Sequence, residues 1–94
     1  RTAPKYAKAK ADRIYCEEFR KTKKAQVMSR YIGEPVNAQE RYAYADPEYI
    51  EVIEGYKAAI ALEEEYRWKL IAAQALVEVW RSLSANQRAE AKAL

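Results

Sequence analysis

The sequence predicts an all-α protein: an antiparallel helical hairpin with one long coiled-coil-like helix, assembling into a homo-oligomer. Three observations predict it. Glycine and proline are scarce, at two and three residues in 94, while Ala, Glu, Lys and Leu are abundant. Residues 47–83 repeat apolar side chains in alternating steps of three and four, the spacing of a coiled-coil seam. The stretch YRWKLIAAQALVEVW, residues 66–80, is apolar around most of its circumference, more than one neighbouring helix covers. A chain of 94 residues is read as a single helical domain, 1–94. Position 1 is Arg rather than Met, and what precedes it is left out of the reading.

The first helix is expected over about 4–32. Pro4 suits a first turn, and Ala7, Ala11, Ile14, Tyr15, Phe19, Thr22, Ala25, Met28 and Ile32 recur at helical spacing as its apolar face. Gly33 and Pro35 stop it. The connector, residues 33–46, holds a short helix capped by Asn37, with Glu40 three residues on completing a capping box. Asp46-Pro47-Glu48 then opens the long helix, with Asp46 as cap, Pro47 in the first position and Glu48 facing the helix dipole.

The long helix is expected over about 47–83. Its seam reads Tyr49, Val52, Tyr56, Ala59, Glu63, Tyr66, Leu70, Ala73, Val77 and Trp80, broken only by Glu63, which sets register. Ile53 and Ile60 widen it on one side, Leu62, Leu76 and Leu83 on the other. Residues 84–94 either form a last helical turn, with Ser84 and Gln87 as caps, or continue the long helix. The first helix covers one stripe of the second. Trp68, Ile71, Ala75 and Val79 lie on another, so the oligomer interface is expected at Tyr66, Trp68, Leu70, Ile71, Ala75, Val79 and Trp80. The alternative is that the C-terminal residues fold back over them.

Little in the chain points to chemistry. There is no histidine and one cysteine, Cys16, which excludes an internal disulfide and an ordinary zinc site within one chain. No phosphate-binding loop or nucleophile motif is present, and Glu63, Glu64 and Glu65 point in different directions on a helix. No catalytic residue, metal or cofactor is expected. No run approaches the ~20 apolar residues of a membrane span, and no apolar signal segment is seen, so an intracellular protein without membrane contact is expected.

The charge is unevenly distributed. Residues 1–32 hold ten Lys and Arg against three acids, and residues 33–94 seven against eleven. This asymmetry implies either an anionic partner for the first helix or pairing between the two parts. Lys21, Lys23, Lys24 and Arg30 are candidate phosphate contacts. Tyr31, Tyr42, Tyr44 and Tyr49, beside Arg30 and Arg41, suit stacking of single-stranded bases, or packing at a protein interface.

The segments KAKADRIYCEEFRKTKKAQVMSRY, AQERYAYADPEYIEVIEGYKAAIALEEEYRWKLIAAQALVEVWRS and ANQR resemble small helical proteins of tailed phages and prophages, often encoded near replication and recombination genes. VWRS, residues 79–82, followed by Asn86 and Arg88, is the most specific part. In layout the chain is similar to the UvsY family of recombination mediators: a basic helix ending in an aromatic-Gly element (Lys24–Tyr31 with Gly33), an acidic connector (34–48), and a long helix with a Trp (Trp68) and a late Arg-Ser (Arg81, Ser82). The shorter length and the Glu63–Glu65 run depart from that layout. The resemblance implies a cytoplasmic protein of the infected bacterium that forms an oligomer and binds single-stranded DNA in support of a recombinase or single-strand-binding protein. Lys21, Lys23, Lys24 and Arg30 would contact DNA, joined by Tyr31, Arg41 and Tyr44. The rival expectation is a protein-interaction module, an adaptor or inhibitor whose basic helix docks an acidic protein.

Overall fold

The computed structural model describes residues 1–93. Leu94, the last residue of the expected C-terminal stretch, lies outside the described residues, as does the side chain of Ala93. Three helices account for the fold, with no strand among the described residues: α1 (Thr2–Ser29), α2 (Val36–Ala45) and α3 (Pro47–Ala93). The molecule is a rod of 86 × 22 × 15 Å. Its length comes from α3, whose 47 residues rise about 70 Å at 1.5 Å each.

The helix ends differ from expectation at two places. α1 closes at Ser29 rather than near Ile32, and the chain leaves it through tight i→i+3 turns, Arg30 N–H to the Val27 carbonyl and Tyr31 N–H to the Met28 carbonyl, both 3.0 Å. Gly33 takes no left-handed conformation and so is no αL cap. Pro35, not Asn37, is the N-cap of α2. Its fixed φ and extended ψ of 152° deliver the chain into the helix one residue later, and Asn37 falls inside the first turn. At the far end, of the two courses left open, the long helix continues: nothing in residues 84–93 breaks α3, which runs on past Leu83 to Ala93 and does not fold back.

Asp46 caps α3 as its residue type demands: its Oδ1 accepts the Glu48 N–H at 2.8 Å. α1 lies along α3 with residue numbers rising on one helix as they fall on the other. Arg13 meets Glu63, Arg20 meets Tyr56, and Lys23 and Arg30 meet Glu48. The α3 side of this contact is the expected seam, buried or half-buried at Tyr49, Val52, Tyr56, Ala59, Glu63, Tyr66 and Leu70.

The α1 side is not the face expected. Of the expected face only Phe19 and Met28 are half-buried; Ala7, Ala11, Ile14, Tyr15, Thr22, Ala25 and Ile32 are exposed, Tyr15 by 65 %. Facing α3 instead are Tyr6, Ala9, Arg13, Cys16, Arg20, Lys23 and Val27, buried or half-buried. These are also strict steps of three and four. The reason is electrostatic. α3 presents a carboxylate, Glu63, in the middle of its seam, and burying it without a cation costs several kcal/mol. The Arg13 face supplies one, and long Arg and Lys stems pack while their heads reach partners.

Candidate functional site

Two surfaces are candidates: the end where α1, α2 and the start of α3 meet, and the half of α3 beyond α1.

At the turn end, α2 packs across α1 and brings tyrosines onto the basic helix. Lys24 Nζ donates to Tyr44 Oη at 2.8 Å and lies 4.7 Å from the Tyr44 ring centre. That hydrogen bond raises the Lys24 pKa above the usual lysine value. Tyr44 meets buried Tyr49 edge-on, with ring centres 5.6 Å apart. Tyr31 and Tyr42 pack at 4.7 Å.

The cations here have intramolecular partners. Glu48 Oε2 accepts Arg30 Nη2 at 2.7 Å and lies 3.1 Å from Lys23 Nζ. The Arg30 hydrogen bond, then that of Lys23, holds the Glu48 carboxyl below its ordinary pKa. Arg30 Nη1 also reaches Asp46 at 3.5 Å, and Lys24 lies 4.0 Å from Glu40. Of the candidate nucleic-acid residues, the structure brings Lys24, Arg30, Tyr31 and Tyr44 to one end. Lys23 is turned inward to Glu48, with 19 % of its side chain exposed. Lys21 points to solvent beside Glu18. Arg41 is exposed on α2.

Midway along the rod lies a polar stretch of the seam. Arg13 Nε donates to Glu63 Oε2 at 2.6 Å and its Nη2 to Oε1 at 3.2 Å, a two-pronged bond, while Nη1 reaches Glu17 at 3.3 Å. Glu63 is buried rather than solvated, and the Arg13 bond lowers its pKa below the usual carboxylate value. Tyr56 Oη donates to Glu17 Oε1 at 3.4 Å beneath the Arg20 guanidinium, 5.6 Å from its ring. Sequence reading found Glu63 but missed Arg13 and Arg20 as its setting. The signal was there: they share a three-and-four spacing with Ala9, Cys16 and Val27, masked by their charge. Cys16 is half-buried in the same seam. Among the described residues no cluster of three His, Cys, Asp or Glu is arranged to hold a metal, and the clefts are open grooves on the rod's surface.

The free half of α3 is the second surface. Carried on from Arg13–Glu63, the register sets the start of α1 level with about residue 74 of α3, leaving ~28 Å of helix beyond it. The expected oligomer residues divide accordingly. Tyr66 and Leu70 are half-buried beside α1. Trp68, Ile71, Ala75, Val79 and Trp80 are exposed, Trp80 by 70 %. Ala73 and Val77, expected under α1, are exposed because α1 stops short. Leu76, 67 % exposed, and Leu83 join them. Arg67 lies 4.8 Å from the Trp68 ring and pairs with Glu64 at 2.9 Å.

No helix among the described residues is long and apolar enough to cross a membrane. No family model, curated protein or solved structure matches the chain.

Proposed function

We propose that this chain is a non-catalytic, self-associating protein, an antiparallel hairpin of α1 and α3 whose copies are joined through the free half of α3. The observation that carries this reading is surface. The chain exposes 7378 Å², about 1,800 Å² more than the ~5,600 Å² expected of a compact monomer of its mass. Its radius of gyration is 23.7 Å, roughly twice the ~12 Å of a compact domain of this length. The surplus is of the order that obligate oligomers bury at their interfaces. Beyond α1, Leu76, Val77, Val79, Trp80 and Leu83 face water on an unpaired stretch of α3, and Trp68 and Ile71 face water just before it. Light scattering on the purified chain tests the reading. A mass of two or more chains at micromolar concentration is expected, and a monomer refutes it.

A second reading, nucleic-acid binding, is favoured by the gathering of Lys24, Arg30, Tyr31 and Tyr44 at one end, with the Tyr42 and Tyr44 rings half exposed. Together with the resemblance to recombination mediators, it gives an oligomer that holds single-stranded DNA without base preference for a recombinase. The intramolecular pairs of Lys23, Lys24 and Arg30 oppose it, because each must exchange a carboxylate or phenol for phosphate. A mobility-shift titration with a 40-mer single strand at two salt concentrations decides. Absence of a complex at low salt leaves the interaction-module reading, in which the basic helix meets an acidic protein.

A further inference from the structure

We propose that the free half of α3 pairs with the same segment of a second copy as an antiparallel helix pair, about a two-fold axis between Val79 and Trp80. This rests on the self-association reading above and adds the partner's orientation and register.

The face comes first. At 100° per residue, Ala72, Leu76, Val79, Trp80 and Leu83 fall within a sector of about 100°, while Gln74, Glu78, Arg81, Arg88 and Lys92 lie on the opposite side. Leu76, Val79, Trp80 and Leu83 follow the i, i+3, i+4, i+7 spacing of a helix that docks by one face. All four are more than half exposed. α1 ends before it reaches them and blocks nothing.

The orientation follows from the residues bordering this face. In the antiparallel arrangement each residue faces the one equally far from the axis in the second copy. Val79 then faces Trp80, Leu76 faces Leu83, and Lys69 faces Glu90. Because the axis is two-fold, each contact occurs twice. Two leucine pairs flank the Val–Trp centre, and two Lys–Glu pairs close its ends, about 32 Å apart along α3. A parallel pair sets Lys69 against Lys69 and Glu90 against Glu90, which costs association rather than favouring it. Lys69 is held only loosely in its own chain, 4.0 Å from Glu65 and 5.4 Å from the Tyr66 ring centre, and its side chain is 58 % exposed, so it can turn to the second copy. The open groove lined by Lys5, Lys8, Ala9, Asp12, Leu62 and Tyr66 borders the same track. Lys8 is paired there with Asp12 at 2.9 Å, which leaves the Lys5 amine to add positive charge where Glu90 of the second copy comes to lie.

Cross-linking in a Cys16→Ser background tests the register. An equimolar mixture of Leu76→Cys and Leu83→Cys chains, treated with a short bismaleimide, is expected to give covalent dimers with one chain of each kind. Neither variant alone gives them. Charge exchange is a second, independent measurement. Lys69→Glu is expected to weaken self-association about tenfold, since two attractive pairs become repulsive. The Lys69→Glu/Glu90→Lys double variant returns it to within about threefold of the parent. Cross-links formed by each variant alone, or a double variant no better than the single, overturn the antiparallel pair while self-association stands. A monomer by light scattering, with the face left to a different partner, overturns both.

Discussion

Arg13 and Glu63 form the closest contact between the two long helices. Cutting one partner leaves the other's charge partly desolvated, so Glu63→Leu or Arg13→Leu is expected to lower the denaturation midpoint, by less than breaking a fully buried pair does because Arg13 keeps a quarter of its side chain in water. Replacing both by Leu is expected to recover most of that loss, because an apolar pair suits the seam as well as the ion pair does. Chemical denaturation of the three variants checks this, and a double variant as weak as either single one sinks it. The sign of the pH dependence follows from the same bond. Arg13 holds the folded-state pKa of Glu63 below its unfolded value. The contribution is therefore fully present above about pH 4.3 and is lost as pH falls through the folded pKa. Melting curves of the parent are expected to fall more steeply below pH 4 than those of Glu63→Gln. Parallel curves would show that the carboxylate titrates as if unpaired.

The long helix has one weak position and one strong end. Gly55 sits mid-helix, takes no positive φ, and has no atom within 4 Å of where a Cβ would be. Nothing in the protomer requires glycine there, so Gly55→Ala is expected to stabilise it by about 1 kcal/mol, read as a higher denaturation midpoint with unchanged oligomer mass. A loss of stability would reveal an interface at Gly55 between copies. Asp46 works in the other direction. It caps the Glu48 N–H and receives Arg30, so Asp46→Ala is expected to cost about 1 kcal/mol or more. Circular dichroism should place that loss in thermal stability rather than in helix content, because a 47-residue helix propagates past one missing cap.

At the scale of the molecule, the rod separates two surfaces that respond to different changes. Trp80→Glu together with Leu83→Glu is expected to reduce the oligomer to smaller species while leaving the α1–α3 contact folded. If the turn end binds single strands, the log–log salt slope is about −0.7 per phosphate contact. Ala at Lys21, Lys23, Lys24 and Arg30 flattens it without changing the oligomer mass. Tyr44→Ala weakens binding by about 1–3 kcal/mol with little change in slope. If the four basic substitutions instead unfold the chain, those residues serve Glu40, Asp46 and Glu48 rather than a ligand.

Helix content, the start of α3 and the α3 seam were legible in the residues alone, because they depend on local rules. Scarce Gly and Pro leave helix as the default. Asp46-Pro47 caps whatever follows, and Tyr49 to Leu70 repeats at a spacing no other structure uses. The turn-end tyrosines were legible as a cluster, since four of them fall within nineteen residues. Tertiary structure decided the rest. The face of α1 turned to α3 was chosen by Glu63 on the other helix, some fifty residues away, not by α1's own apolar count. That choice half-buried Arg13 and Arg20 and left Ile14 and Tyr15 in water. The bases of the first helix left an anionic partner and pairing within the chain both open, and folding places Lys23, Lys24 and Arg30 beside Glu48, Tyr44 and Asp46. The extent of α1 along α3 set where cover ends, and so which apolar residues are left exposed. Propensity and spacing act within a turn or two of helix. Partner choice and coverage are sums over contacts between distant segments, and those exist only once the chain has folded.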